Sequence, residues 1–327
     1  MRRRTLLLGL AGVGSLAACS ADPAPQVPVP AAPSASASAV PILGSTTASS
    51  LGPQSVTTAY VPPPGTAPVT AYAIGRRVLP FSRGDRALPT TVFYPASGAA
   101  AQNPVDEAPL ASGRFPLVLF SHGLTSQPAD YAAMLARWAQ AGIVVAAPTY
   151  PNTSNGAQHL DSSDIINQPA DASHVIDTML APGDPLAGGI DGNRIAAAGH
   201  SAGGITTAGL FSARRDERLK AGLIFNGTDF QGTPFTGPAA AMLFVHGRKD
   251  ETVTYRAGHA VFSAVPWSRA MLSITDGGHV TQGDDFEAVT TTSTDFLRWA
   301  LYGDAAAKAR LPQDAATGGV ATFENQL

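Results

Sequence analysis

Only one cysteine occurs in the 327 residues, so no intrachain disulfide staples the chain and its stability has to come from a packed core. Charge is sparse too. Asp, Glu, Lys and Arg make up 14% of residues with a net charge of −3, which excludes the basic surface that nucleic-acid binding requires. No glycine-rich phosphate cradle, heptad seam or internal repeat is present. Between Pro23 and Gly75 there is no Asp, Glu, Lys or Arg at all, and 11 of the 27 prolines fall between Pro23 and Pro68. Ala, Ser and Thr fill the rest. Such a segment buries too little apolar surface to offset its ordering, so residues 20–68 read as a semi-extended tether. What the chain does have is 44% hydrophobic residues, enough for one globular domain with a real core, expected over residues 69–303.

Arg2, Arg3 and Arg4 precede an apolar run from Leu6 to Ala18 that is too short to span a bilayer and is flanked as a signal peptide is. The run closes on Leu16-Ala17-Ala18-Cys19, which resembles a bacterial lipobox and implies lipidation of Cys19 as the mature N-terminus. Arg3-Arg4-Thr5-Leu6-Leu7 also resembles a twin-arginine signal. The expectation is an exported lipoprotein, in the periplasm or at the cell surface, with residues 1–19 removed or modified and Cys19 as its membrane anchor.

Strand and helix signals then alternate. Strands are expected at Tyr72–Leu79, Thr90–Tyr94, Leu117–Ser121, Ile143–Ala147, Arg194–Gly199, Ala221–Phe225, Ala241–His246 and Ala270–Thr275. Helices are expected at Pro128–Ala141, Pro169–Leu180, Ala202–Phe211, Tyr255–Ala264 and Phe286–Tyr302. Uniformly apolar strands separated by amphipathic helices predict an α/β fold: a mostly parallel sheet of eight strands, covered on both faces. The fifteen residues 226–240 are too few for a helical cap domain, so an open cleft is expected. The tail, residues 304–327, is left undecided.

The fifth strand runs into Gly199-His200-Ser201-Ala202-Gly203 and a helix follows at once. This is a G-x-S-x-G turn in strand-turn-helix context, which lifts the Ser201 oxygen clear of the sheet at a helix N-terminus. The third strand exits through Ser121-His122-Gly123-Leu124. One amide from such a turn and the amide after the serine form an oxyanion hole in elbows of this kind, which points to Leu124 N–H and Ala202 N–H. His122 and Phe230 are candidates for contacting substrate; the alternative for His122 is a buried histidine bonded to backbone. Leu124, the loop 150–166 and Phe230 are expected to wall the cleft.

A serine nucleophile needs a base, and the base needs a carboxylate to orient it. Of seven histidines, His279 lies late in the chain in the glycine loop Thr275-Asp276-Gly277-Gly278-His279. His159 sits in a polar loop, His174 and His259 fall within helices, and His246 ends a strand. For the acid, Asp250 follows the seventh strand; Asp229, after the sixth, and Asp276, close in sequence to His279, remain alternatives.

Taken together, Thr91-Val92-Phe93-Tyr94-Pro95-Ala96, the Phe120–Leu124 turn, Val144–Pro148 and the Gly199–Gly204 elbow make the chain resemble α/β-hydrolases. Within that fold it is similar to bacterial platelet-activating-factor acetylhydrolase-like and dienelactone hydrolase-like esterases and to cutinase-type polyester hydrolases. The resemblance implies a Ser201–His279–Asp250 triad acting on small or polymeric esters through an acyl-enzyme, with no metal or organic cofactor. It departs from the animal acetylhydrolases, whose acid ends the sixth strand, because Asn226 stands there. It departs from polyester hydrolases at Leu124, where those carry an aromatic residue, and from dienelactone hydrolase proper in having serine rather than cysteine. A cutinase or lipase activity, a peptidase or thioesterase, and a non-catalytic surface-binding lipoprotein are the alternative readings. A monomer is expected.

Overall fold

The computed structural model describes residues 55–56 and 58–327; the signal segment, Cys19 and most of the tether lie outside the described residues. The strands are β1 (Ala73–Arg83), β2 (Arg86–Ala96), β3 (Val105–Asp106), β4 (Phe115–Ser121), β5 (Val144–Pro148), β6 (Ile190–His200), β7 (Leu219–Phe225), β8 (Ala241–Gly247), β9 (Arg269–Ile274) and β10 (Ala321–Gln326). The helices are α1 (Ala132–Gln140), α2 (Gln168–Leu180), α3 (Ala202–Leu210), α4 (Tyr255–Ala264), α5 (Asp284–Tyr302) and α6 (Ala305–Ala315). One sheet takes the order β10-β9-β8-β7-β6-β4-β5-β2-β1-β3. It is parallel from β9 through β5, with β2 antiparallel to β5 and to β1, and β10 antiparallel to β9. The arrangement, with helices on both faces, is consistent with an α/β-hydrolase fold.

The sheet has ten strands rather than the expected eight. All eight expected strands are present. The two additions are β3, which pairs only Val105 and Asp106 with β1, and β10, which closes the edge beside β9. A two-residue strand carries no periodicity to read. The tail is not a loose end: Asp304 caps α6 by accepting from Ala307 N at 3.0 Å, and Phe323 packs toward the core from β10.

Residues of the central strands alternate between two hydrophobic clusters, as the period of a pleated strand demands. Leu117, Leu119, Val144 and Ala146 face the layer of α2, α3 and α4; Val118, Phe120, Val145 and Ala147 face α1, α5 and α6. Both layers are apolar because β4, β8 and β9 are buried along their whole length.

The packed chain also begins earlier than the expected boundary at Val69. Tyr60 is buried, donates its N–H to Ser268 Oγ (3.0 Å) and its hydroxyl to the Ala300 carbonyl (2.8 Å), and sets its ring edge-on to Trp299. Average composition hides a single aromatic anchor of this kind. Among the described residues, 226–240 hold no helix, so no cap covers the edge where β6 and β8 end.

Candidate active site

Ser201 sits at φ 55° and ψ −117°, in the left-handed half of conformational space that a side chain rarely adopts. The surroundings impose it. A Cβ on Gly199 would come within 2.1 Å of the Gly203 carbonyl oxygen, and one on Gly203 within 1.9 Å of the Ser121 carbonyl oxygen, so only glycine fits at either position. Ser201 N–H donates to the Phe225 carbonyl (2.9 Å) and Ile205 N–H donates to the Ser201 carbonyl (3.1 Å), which ties the turn to β7 on one side and opens α3 on the other.

Ser201 Oγ lies 2.8 Å from His279 Nε2, and His279 Nδ1 lies 2.8 Å from Asp250 Oδ2. A carboxylate oxygen only accepts, so Nδ1 carries the hydrogen and Nε2 is left to accept the serine proton. Asp250 Oδ1 accepts from Thr252 N–H (2.8 Å) and Val253 N–H (2.9 Å). Oδ2 also accepts from Asn226 Nδ2 at 2.8 Å and stands 3.4 Å from His246 Nε2. Burial is the largest single influence on this carboxyl and pushes its pKa up. The hydrogen bonds from His279, Asn226 and Val253 N–H, with the His246 ring beside them, outweigh it and hold Asp250 well below the usual carboxylate range.

The other carboxylates lie elsewhere. Asp229 accepts from Thr228 Oγ1 (3.3 Å) and from Gly232 N–H, closing its own turn. Asp276 pairs with Lys249 at 2.7 Å on the surface.

On the turn after β4, Gly123 N–H donates to Tyr131 Oη (3.1 Å), Thr125 N–H to the Thr153 carbonyl (2.7 Å) and Ser126 N–H back to Gly123 (3.2 Å). The Leu124 and Ala202 amides have no acceptor among the described residues. Leu124 lines the same cavity as Ser201, and Ala202 follows Ser201 in the chain. His122 is buried and used up: Tyr150 N–H donates to its Nε2 (3.1 Å) and its Nδ1 donates to the Gly123 carbonyl (2.8 Å).

A cavity of about 340 Å³ opens at Ser201, walled by Leu124, Tyr131, Met134, His279, Val280 and Phe286. It leans toward α1 and α5. Two sequence expectations are thereby corrected. His122 does not reach this cavity, and Phe230 does not line it. Phe230 is 2% exposed, packs on Gly209 of α3, and lines a separate hollow of about 230 Å³ with Ile165, Ile166 and Ile205. Of the loop 150–166, Ser162, Ser163, Ile165 and Ile166 line that hollow, while the Thr153 carbonyl accepts from Thr125 N–H beside Leu124. A larger open groove of about 520 Å³, between residues 68–71 and helices α1 and α5, lies away from Ser201, and its Arg298 and Arg310 are paired with Asp304 and Asp295. Among the described residues, no three His, Cys, Asp or Glu side chains gather as a metal site.

Three residues at the site escaped the sequence reading as parts of it: Asn226, His246 and Tyr131. Asn226 adopts φ 48°, which asparagine tolerates better than most side chains, and bridges Asp250 to the Gly278 carbonyl. Its place at the end of β7 was the available signal.

The family model described as Chlorophyllase, a family in the α/β-hydrolase superfamily, matches residues 95–224. That span is less than half of the chain and contains Ser201 and the Leu124 turn but neither Asp250 nor His279. A search of curated proteins found no match.

Proposed function

We propose that the chain is a serine ester hydrolase working through an acyl-enzyme. The observation that carries this reading is the unbroken hydrogen-bonded line Ser201 Oγ–His279 Nε2 and His279 Nδ1–Asp250 Oδ2, each step 2.8 Å. The chlorophyllase-family match supports ester hydrolysis as its class.

In the first half-reaction His279 Nε2 takes the Ser201 proton as Oγ bonds to the ester carbonyl carbon. The carbonyl oxygen becomes an oxyanion facing the Leu124 and Ala202 amides, which have no acceptor among the described residues. Collapse breaks the bond to the alcohol, which leaves with the proton from His279. Water then enters, gives its proton to Nε2 and releases the acid, restoring Ser201. Asp250 keeps the ring in its working tautomer and stabilises the imidazolium between the two transfers.

Among the described residues, the cavity is lined by Leu124, Met134, Val280 and Phe286 and by no Lys or Arg. Uncharged, largely apolar ester groups fit it better than anionic ones. A series of p-nitrophenyl esters of rising acyl length, assayed on the wild type and on Ser201→Ala, tests the reading: hydrolysis should fall to background in the variant. We further propose that Cys19 anchors the protein to a membrane, by its likeness to a lipobox residue. Cys19→Ser should leave the membrane fraction or remain unprocessed, and a variant that fractionates as the wild type does would contradict the anchor.

A further inference from the structure

Three consecutive carbonyls of the loop that carries His279 are held from outside that loop. Gly277 O accepts from Lys249 N–H (2.9 Å), Gly278 O from Asn226 Nδ2 (3.0 Å) and His279 O from His200 Nε2 (2.7 Å). Glycines at 277 and 278 offer no side chains for anchorage, so these donors set where the imidazole stands. His200 is the residue before Ser201, and its backbone is fixed by the same crowded turn.

The second nitrogen of His200 faces the other way. Nδ1 lies 2.9 Å from Tyr131 Oη, which in turn accepts Gly123 N–H at 3.1 Å, while the tyrosine ring packs on Phe120. A carbonyl only accepts, so His200 Nε2 carries its hydrogen. The neutral ring then accepts the Tyr131 hydroxyl at Nδ1, and the hydroxyl oxygen accepts the amide. One direction of donation runs through every link, from Gly123 N–H to the His279 carbonyl.

Charge on His200 would be out of place there. Its ring centroid is 4.9 Å from that of His279, where the imidazolium forms during turnover. Burial first, and then the neighbouring His279 and His246, push its pKa down to about 4, against the opposing pull of the His279 carbonyl and of Asp250. Tyr131 supplies a hydroxyl rather than a charge. The His200–Tyr131 pair therefore stays neutral near pH 7.

We propose that His200 and Tyr131 are positioning residues for the hydrolysis: a bracket, mounted on the serine turn, that holds the Gly123–Leu124 amides and the His279 loop at a fixed spacing. The bracket rests on the hydrolase reading above. Neither side chain is bonded to Ser201, and each acts through the backbone of another residue. The two parts it joins leave different strands, β4 and β9, so a shift in either would separate the oxyanion donor from the base.

The test compares Tyr131→Phe, His200→Phe, the double variant and His200→Gln in the full-length protein. Misplacing a reacting group by an ångström costs about 10²-fold, so His200→Phe should lower kcat by roughly that factor and Tyr131→Phe by about 10-fold, with KM within about twofold. Because both break one chain, the double variant should be no worse than His200→Phe alone. His200→Gln, whose amide still donates to the His279 carbonyl, should recover part of the loss. A structural readout accompanies the kinetics: the downfield proton resonance of His279 Nδ1–H, recorded without substrate, should broaden in His200→Phe and return in His200→Gln. Should His200→Phe fail to fold, Tyr131→Phe removes one oxygen atom only and carries the same test. Unchanged kcat and an unchanged resonance in Tyr131→Phe would overturn the bracket. So would a rise in KM alone, which would mean that both residues, which line the cavity, hold substrate rather than the backbone around it. A wild type that hydrolyses no ester ends the hydrolase reading instead, and the resonance still reports on the bracket.

Discussion

Asn226 donates its amide to Asp250 Oδ2 at 2.8 Å, on the oxygen that also receives His279. The end of β7 thus supplies a neutral prop for a carboxylate that comes from the turn after β8. Asp250→Asn should lower kcat by on the order of 10²–10⁴, because an amide neither stabilises the imidazolium nor enforces the tautomer. Asp229→Asn should cost less than about tenfold, since among the described residues Asp229 bonds only within its own turn. Steady-state kinetics on one soluble ester, with circular dichroism for folding, decides between them. A crippled Asp229→Asn beside a nearly normal Asp250→Asn would move the acid to the end of β7.

Stability should fall on acidification through His200. Its folded pKa is pushed down from 6.5 to about 4, so between those values the unfolded chain takes up a proton that the folded protein does not. The unfolded state gains in that window, by about 3 kcal/mol over the full span, and nothing is lost above pH 6.5. Urea denaturation of wild type and His200→Gln at pH 7 and pH 4.5 should show a smaller drop in the variant. Burial shifts His122 in the same direction, so part of the acid sensitivity should remain. Equal drops would mean that His200 does not titrate as described.

The opposite sign applies to the C-terminal helix. Burial foremost, then the hydrogen bond and charge of Asp295, raise the Asp314 carboxyl to about 7. The folded protein therefore keeps a proton that the unfolded chain loses above the ordinary carboxylate range. The stability this gives is full at low pH and is lost as pH rises toward 7. Asp314→Asn keeps the neutral form throughout. Its melting temperature should exceed that of the wild type by several degrees at pH 8, with the gap shrinking toward pH 4. A variant less stable than the wild type at pH 8 would contradict a raised Asp314 carboxyl.

Much of the site could be read from the chain because its parts are local. The two glycines around Ser201 are dictated by contacts within a few residues and with the adjacent strand, so a five-residue pattern reports them. Asp250 and His279 follow apolar strands at predictable turns. The residues that escaped act across long separations: Tyr131 and His200 stand 69 positions apart, and Asn226 reaches Gly278 across 52. No periodicity encodes such bonds. Phe230 misled for a related reason. An aromatic residue near the sheet edge reads as a cleft wall, yet the absence of a side chain at Gly209 lets it turn inward beneath α3. Tyr60 and β10 were hidden because one anchoring ring and a short edge strand leave little trace in average composition.

The central claim is that Ser201 is an activated nucleophile. Incubation of the folded wild-type protein with a fluorophosphonate probe, followed by peptide mass spectrometry, tests it without knowledge of the substrate. One probe per chain is expected, on Ser201, with labelling slowed by Asp250→Asn and nearly abolished by His279→Ala. A folded protein that stays unlabelled, or carries the probe at another residue, would contradict it.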